Sequence, residues 1–193
     1  TKADAVIVNS LLFKNQMDKR FKIKTKCIFN PLNKEEILSL SKKNISEPFF
    51  KTKKSILKII NLGRLTDQKD HITLLKTINI LRKKIQVRLL ILGNGAELNK
   101  LNKFVFENKL NKNIKIKNFV NNPFPIMRQS DIFILSSKYE GLPNALLEAI
   151  VLKRFSISSD CPTGPREILN NGKGGMLFKI GNYHDLSKKI LFF

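Results

Sequence analysis

From residue 56 onward, short apolar runs alternate with stretches of helical spacing. "ILKIINL" (56–62), "VRLLIL" (87–92) and "DIFILS" (131–136) are nearly continuous apolar runs, predicting strands buried on both faces. "HITLLKTINILRKK" (71–84) has apolar residues at 72, 74, 75, 78 and 81, the period of a helix with one buried face. "AELNKLNKFVFENKL" (96–110) and a stretch over 143–153 also read as helices, whereas "IKIKNF" (114–119), "FSIS" (155–158) and "GMLF" (175–178) read as strands. "HDLSKKILFF" closes the chain as an amphipathic helix ending on an apolar triplet without a cap, so the triplet packs or the chain is cut there. Strand–helix alternation of this kind predicts an α/β fold, a Rossmann-like parallel sheet with helices on both faces. Such sheets bind ligands beyond the carboxyl ends of their strands.

The first 55 residues differ. "ADAVIVNS" predicts one strand, followed by a helical "LLFKNQMDKRF" and a short "KCIFNPLN". The lysine-rich stretch at 39–55 shows no repeated apolar pattern and reads as a connector. The expected organisation is the end of an amino-terminal domain at 1–38, a linker at 39–55 and a sheet domain at 56–193. The chain opens on Thr1 without an initiator Met and reads as a segment of a longer protein.

Charge adds one constraint. With 36 Lys+Arg against 15 Asp+Glu, the net charge is +21. Such a surface attracts polyanions, whether nucleic acid, anionic lipid or nucleotide phosphate. The lysines are spread along the whole chain among many Asn and Ile, so the charge marks no single site; it favours a membrane surface over nucleic acid. No apolar run is long enough to span a bilayer. The opening residues do not resemble a signal peptide. Cys27 and Cys161 have neither disulfide-framework nor zinc spacing, consistent with a reducing cytoplasm. His71 and His184 lack metal-spaced partners and read as surface residues; no Asp-x-Asp metal signature is present.

Three stretches are candidates for chemistry. In "NLGRLTDQKD" a strand runs into Gly63 and Arg64, with Lys69 just before a helix. A guanidinium fork and an ammonium beside a helix start suit phosphate. "LILGNGAELNKL" turns on Gly93, Asn94 and Gly95 but lacks the third glycine of the dinucleotide fingerprint. "SSKYEGLPNALLEAI" places Glu140 before a helix and Glu148 inside it, around the Gly141-Leu142-Pro143-Asn144 turn. Side chains on a helix lean toward its amino end, so Glu148 reaches toward the same mouth as Glu140 and the amides of 141–144. Amides suit phosphate and carboxylates suit sugar hydroxyls, which together describe a nucleotide sugar. Taken singly, each stretch reads as well as an ordinary loop, tight turn or helix surface. In "SSDCPTGPREIL", Cys161 reads as a small buried thiol, and Glu167 as a residue favoured by a helix dipole.

In sequence order, these motifs resemble the carboxyl-terminal, donor-binding half of retaining family 4 glycosyltransferases of the GT-B architecture. "ADAVIVNS" is similar to the last strand of the family's acceptor domain, and "IFNPLN" to the lead into its linker. "NLGRLTDQKDHITLLKT", "LLILGNGAELNKL", "SSKYEGLPNALLEAI", "SSDCPTGPREIL" and "GKGGMLF" follow in the family's order, with Glu140 and Glu148 at its E-x7-E spacing. The resemblance implies that Arg64 and Lys69 bind the donor diphosphate and stabilise the leaving group. It implies that Glu140 touches the donor sugar and Glu148 holds the ribose hydroxyls, with Gly141, Leu142, Pro143 and Asn144 close by. Gly63, Gly93, Asn94, Gly95 and the "NFVNN" segment (118–122), with Val120, would help seat the nucleotide. It further implies a UDP- or GDP-linked sugar as substrate, no bound metal or other cofactor, and a glycan or lipid-linked acceptor. Surface-polysaccharide synthesis in the cytoplasm, at the inner face of the cell membrane, would be the setting. An epimerase or phosphorylase can share the architecture, and a basic nucleic-acid-binding protein is the third expectation left open.

Overall fold

The computed structural model describes residues 3–52 and 55–193. Of the segments set out above, residues 1–2 and 53–54 lie outside the described ones. Among the described residues, six parallel strands form one sheet: β3 (Leu57–Leu62), β4 (Val87–Leu92), β5 (Ile114–Lys117), β6 (Ile132–Leu135), β7 (Phe155–Ser159) and β8 (Met176–Phe178). Their spatial order is β5-β4-β3-β6-β7-β8. The chain therefore winds outward from β3 in one direction and then from β6 in the other. The strand order reverses between β3 and β6, where doubly wound sheets open a crevice.

The alternation of strand side chains sorts the core into two layers. Ile59, Leu89, Ile91, Ile132 and Ile134 face helices α3 (His71–Leu81), α4 (Leu98–Glu107) and α8 (Tyr183–Phe192). Ile60, Leu90, Leu92, Phe133 and Leu135 face α2 (Lys34–Ser41), α5 (Phe124–Arg128) and α6 (Asn144–Val151). Because both faces are covered, the central strands β3, β4 and β6 are apolar at most positions. That explains why the runs were legible as strands. At the carboxyl end of the chain, the Phe193 ring packs on Phe155 at 4.8 Å between centroids, while Phe192 stays 83% exposed.

Residues 39–55 are more than a bare connector. Helix α2 runs across the 38/39 boundary, and Pro48–Phe50 form a 3-10 turn. Ile37 and Phe50 are buried in the second core layer, and a fully buried side chain of this size contributes about 1.5–3 kcal/mol. Glu47, also buried, accepts both oxygens' worth of bonds from Lys117 Nζ (2.8 and 2.7 Å) and one from Phe49 N. Its own N–H donates to Gln129. One apolar anchor, Phe50, and the ion pair of buried Glu47 with Lys117 fasten this segment at irregular spacing, which is why no period marks it.

The opening residues form a separate two-stranded parallel sheet, β1 (Ile7–Val8) with β2 (Lys26–Cys27), joined by α1 (Leu11–Phe21). The amino end of α1 is capped across the molecule. Glu167, on the short helix α7 (Pro165–Ile168), accepts from Ser10 Oγ at 2.6 Å and from Leu11 N at 2.8 Å. Glu167 is thus a dipole partner, but of a helix 156 residues earlier in the chain.

Candidate functional site

A cavity of about 700 Å³ opens at the carboxyl ends of β3 and β4. Gly63 and Arg64 follow β3, Gly93 and Asn94 follow β4, Val120 follows β5, and Glu148 comes from α6. Leu62, Leu92, Phe119 and Phe124 complete an apolar wall. The glycine at 93 has a steric cause: a Cβ there would lie 1.9 Å from the Gly63 carbonyl oxygen. The two βα loops therefore touch backbone to backbone, and Leu65 N donates to Asn94 O at 2.8 Å. Gly95 packs as closely, its Cβ position 2.4 Å from Leu65 O. Asn94 Oδ1 accepts from Phe119 N at 3.2 Å, tying the loop after β5 to the same floor.

Two charges meet this apolar space without protein partners. Glu148 is partly buried and makes no hydrogen bond or ion pair among the described residues, and burial pushes its carboxyl above the usual carboxylate range. Arg64 is exposed at the cavity wall, likewise unpaired among the described residues. Beside them lies the mouth of α6. Pro143 caps this helix without a side-chain acceptor, and no described group accepts from the N–H groups of Gly141, Leu142, Asn144 and Ala145. Unfilled donors at a helix start carry partial positive charge and suit an anion.

Lys69 and Glu140 have a different setting. Lys69 closes the 3-10 turn after β3 and Glu140 follows β6, so the pair spans the point where strand order reverses. Lys69 Nζ and Ser137 Oγ both donate to Glu140 Oε1, each at 2.5 Å. The side chains of Lys69 and Glu140 are 16% and 8% exposed. Thr163 Oγ1 donates to the Glu140 carbonyl. From the opening segment, Asn30 Nδ2 donates to Asn144 Oδ1 (2.8 Å) and to the Leu142 carbonyl (3.3 Å). The turn carrying Glu140 is thus gripped from both parts of the chain.

The structure gathers Gly63, Arg64, Gly93, Asn94, Val120 and Glu148 around one cavity. Gly95 supports its floor, and Gly141, Leu142, Pro143 and Asn144 form the helix mouth. Two expectations change. Lys69 is not a free phosphate-seeking charge beside Arg64 but is paired with Glu140. The two glutamates do not share one lining: Glu148 lines the cavity, whereas Glu140 is paired with Lys69 and Ser137 outside it. His71 is not a surface residue. It is 2% exposed at the start of α3, both ring nitrogens lack partners among the described residues, and burial, then the charge of Lys69, lowers its pKa to about 4. Its polarity hid the burial, since a histidine opening a helix reads as a surface residue. Cys161 is the buried thiol expected, unpaired in any disulfide, with burial raising its pKa to about 11.

Sequence reasoning placed Phe119 at the site only within the "NFVNN" segment, and missed the rest of the apolar wall, Leu62, Leu92 and Phe124. It also missed Ser137, whose only signal was a pair of serines closing a strand. Among the described residues no group of His, Cys, Asp and Glu could hold a metal ion. No helix among them is long and apolar enough to cross a membrane.

This doubly wound parallel sheet, with helices on both faces, has the α/β architecture of GT-B glycosyltransferases. Residues 41–193 match the family described as glycosyl transferases group 1, and the chain belongs to that family. An uncharacterized glycosyltransferase of Methanocaldococcus jannaschii is 35% identical over 171 residues, covering 86% of this chain and 42% of the relative. A Campylobacter jejuni enzyme, N-acetylgalactosamine-N,N'-diacetylbacillosaminyl-diphospho-undecaprenol 4-alpha-N-acetylgalactosaminyltransferase, is 27% identical over 96% of this chain and 49% of its own. Among solved structures, a Staphylococcus aureus TarM mutant in complex with Fondaparinux, alpha-GlcNAc-glycerol and UDP superposes with a TM-score of 0.81 at 21% identity. It is matched over 97% of this chain and 36% of that one. Anabaena HepE in complex with UDP and glucose gives 0.80 at 18%, over 98% and 53%. The chain spans about half the length, or less, of these relatives.

Proposed function

We propose that this chain is the carboxyl-terminal, nucleotide-sugar-binding part of a retaining family 4 glycosyltransferase. The observation that carries this reading is Glu148. A carboxylate partly withdrawn from water without a partner costs the apo protein stability, and is explained if a ligand supplies the donors. Ribose hydroxyls are such donors, and the apolar wall around them suits a base. The diphosphate would then lie between Arg64 and the open amides of 141, 142, 144 and 145. On donor binding Lys69 turns from Glu140 to the phosphates. Arg64 and Lys69 then stabilise the charge that grows on the departing nucleoside diphosphate, while Glu140 contacts the donor sugar. With cations and helix amides in that role, the chemistry calls for no bound metal.

The acceptor in this reading is a glycan or lipid-linked sugar of a surface polysaccharide. The Campylobacter jejuni relative's name includes a diphospho-undecaprenol acceptor. The +21 charge would hold the protein at the anionic inner face of the cell membrane. Titration calorimetry with UDP and GDP tests the reading: one of the two binds, and the heat it gives identifies the base. No heat with either at millimolar ligand would contradict it. Transfer of the sugar to an acceptor, rather than its isomerisation on the nucleotide, separates a transferase from an epimerase of the same fold.

A further inference from the structure

We propose that Ser137 is a positioning residue that fixes the Glu140 carboxylate while Lys69 changes partner; the proposal rests on the donor-site reading above. Ser137 lies at the carboxyl end of β6 and is wholly buried. Its hydroxyl donates to Glu140 Oε1 at 2.5 Å, the same oxygen that Lys69 Nζ reaches. No described group bonds Oε2, so one carboxylate oxygen is occupied twice and the other is free to accept. The serine is itself held: its carbonyl accepts from the buried Ser159 Oγ of neighbouring β7 at 2.6 Å. Next to it, Ser136 Oγ donates to the Lys69 carbonyl at 2.7 Å, tying the backbone of the other partner to the same strand end.

The asymmetry matters when a diphosphate arrives. A carboxylate tethered only by an ammonium would lose its orientation as that ammonium turns to the phosphates. Ser137 carries no charge, so phosphate does not compete for its hydroxyl. With its bond to Oε1 intact and Thr163 holding the Glu140 backbone, Oε2 stays free to accept from a sugar hydroxyl. Ser137 thus acts through Glu140 and touches no substrate. Its effect falls on the sugar half of the donor and spares the nucleoside half.

The test measures the affinities of UDP and UDP-N-acetylglucosamine, with GDP and GDP-mannose as the second matched pair, for the wild-type chain and for Ser137→Ala. The expected result is a nucleoside diphosphate affinity within about twofold of wild type and a nucleotide-sugar affinity about fivefold weaker. Combined with Glu140→Gln, the second substitution should add little, since both remove one interaction. Ser137→Cys, of similar volume but a poor donor, gives the same pattern if the alanine variant is unstable. Equal weakening of both ligands, unchanged nucleotide-sugar affinity, or full additivity with Glu140→Gln overturns the proposal alone. Failure of every nucleoside diphosphate to bind the wild-type chain overturns the donor-site reading with it.

Discussion

Glu140 and Glu148 lie eight residues apart on one loop and helix, yet they occupy opposite kinds of environment. Glu140 is an assembled site: one oxygen takes bonds from Lys69 and Ser137, and Thr163 fixes its backbone. Glu148 is an unfinished one, desolvated among Leu62, Leu92 and Ala145 with nothing to accept from. A buried carboxylate that is already paired needs no ligand. One that is not is stable only because the rest of the fold carries it. The contrast separates the site into a switch-point half, held together by the protein, and a cavity half that awaits donors from outside.

The largest effect expected on the cavity half comes from its floor. Gly93→Ala places a methyl group against the Gly63 carbonyl, where the backbone has to move. It should lower unfolding stability by about 3 kcal/mol, measured by urea titration. Next comes Glu148→Ala, which should weaken nucleoside diphosphate binding about 100-fold, because two charge-assisted hydrogen bonds are lost. Glu140→Gln should leave that affinity within about twofold. If the two substitutions weaken nucleotide binding equally, the division of the site fails. Glu148→Gln sharpens the point in the opposite direction. Its folded pKa is raised, so the ionised form opposes folding as pH rises above the usual carboxylate range. Removing the charge should raise Tm at neutral pH while binding is lost.

On the switch-point half, His71 predicts a pH response. Its folded pKa of about 4 lies below the ordinary 6.5, so the unfolded chain takes up the proton first. The stability from this group is fully present above pH 6.5 and is lost as pH falls toward about 4. The loss is about 3 kcal/mol at most. Denaturant midpoints from pH 7 to 4 should fall more steeply in the wild type than in His71→Leu. The smallest effect is at the rim, where Lys138 and Asp67 pair at 2.7 Å in open solvent. Asp67→Asn should leave Tm unchanged within error, as surface pairs contribute little.

What the sequence revealed follows the same physical line. β4 was readable to the residue because a strand buried on both faces is nearly all apolar, and "VRLLIL" departs from that only at Arg88. The helix mouth at Pro143 was readable from local turn chemistry. Glu148 and Arg64 were placed only through the order of motifs along the chain, since neither has a local signature. Features that depend on distant partners were not readable. Glu167 caps a helix of the opening segment, Glu47 pairs with Lys117, and His71 is buried at the start of α3. Ser137 belongs with these: a serine closing a strand acquires a role only when Glu140 folds back onto it.

The most direct measurement of the central claim is a crystal structure of the chain with the nucleoside diphosphate that binds in calorimetry. The account predicts ribose hydroxyls within about 3 Å of the Glu148 carboxylate. It also predicts phosphate oxygens at the amides of Gly141, Leu142 and Asn144, with Lys69 turned away from Glu140. A nucleotide bound elsewhere, with Glu148 still without a partner, would contradict it.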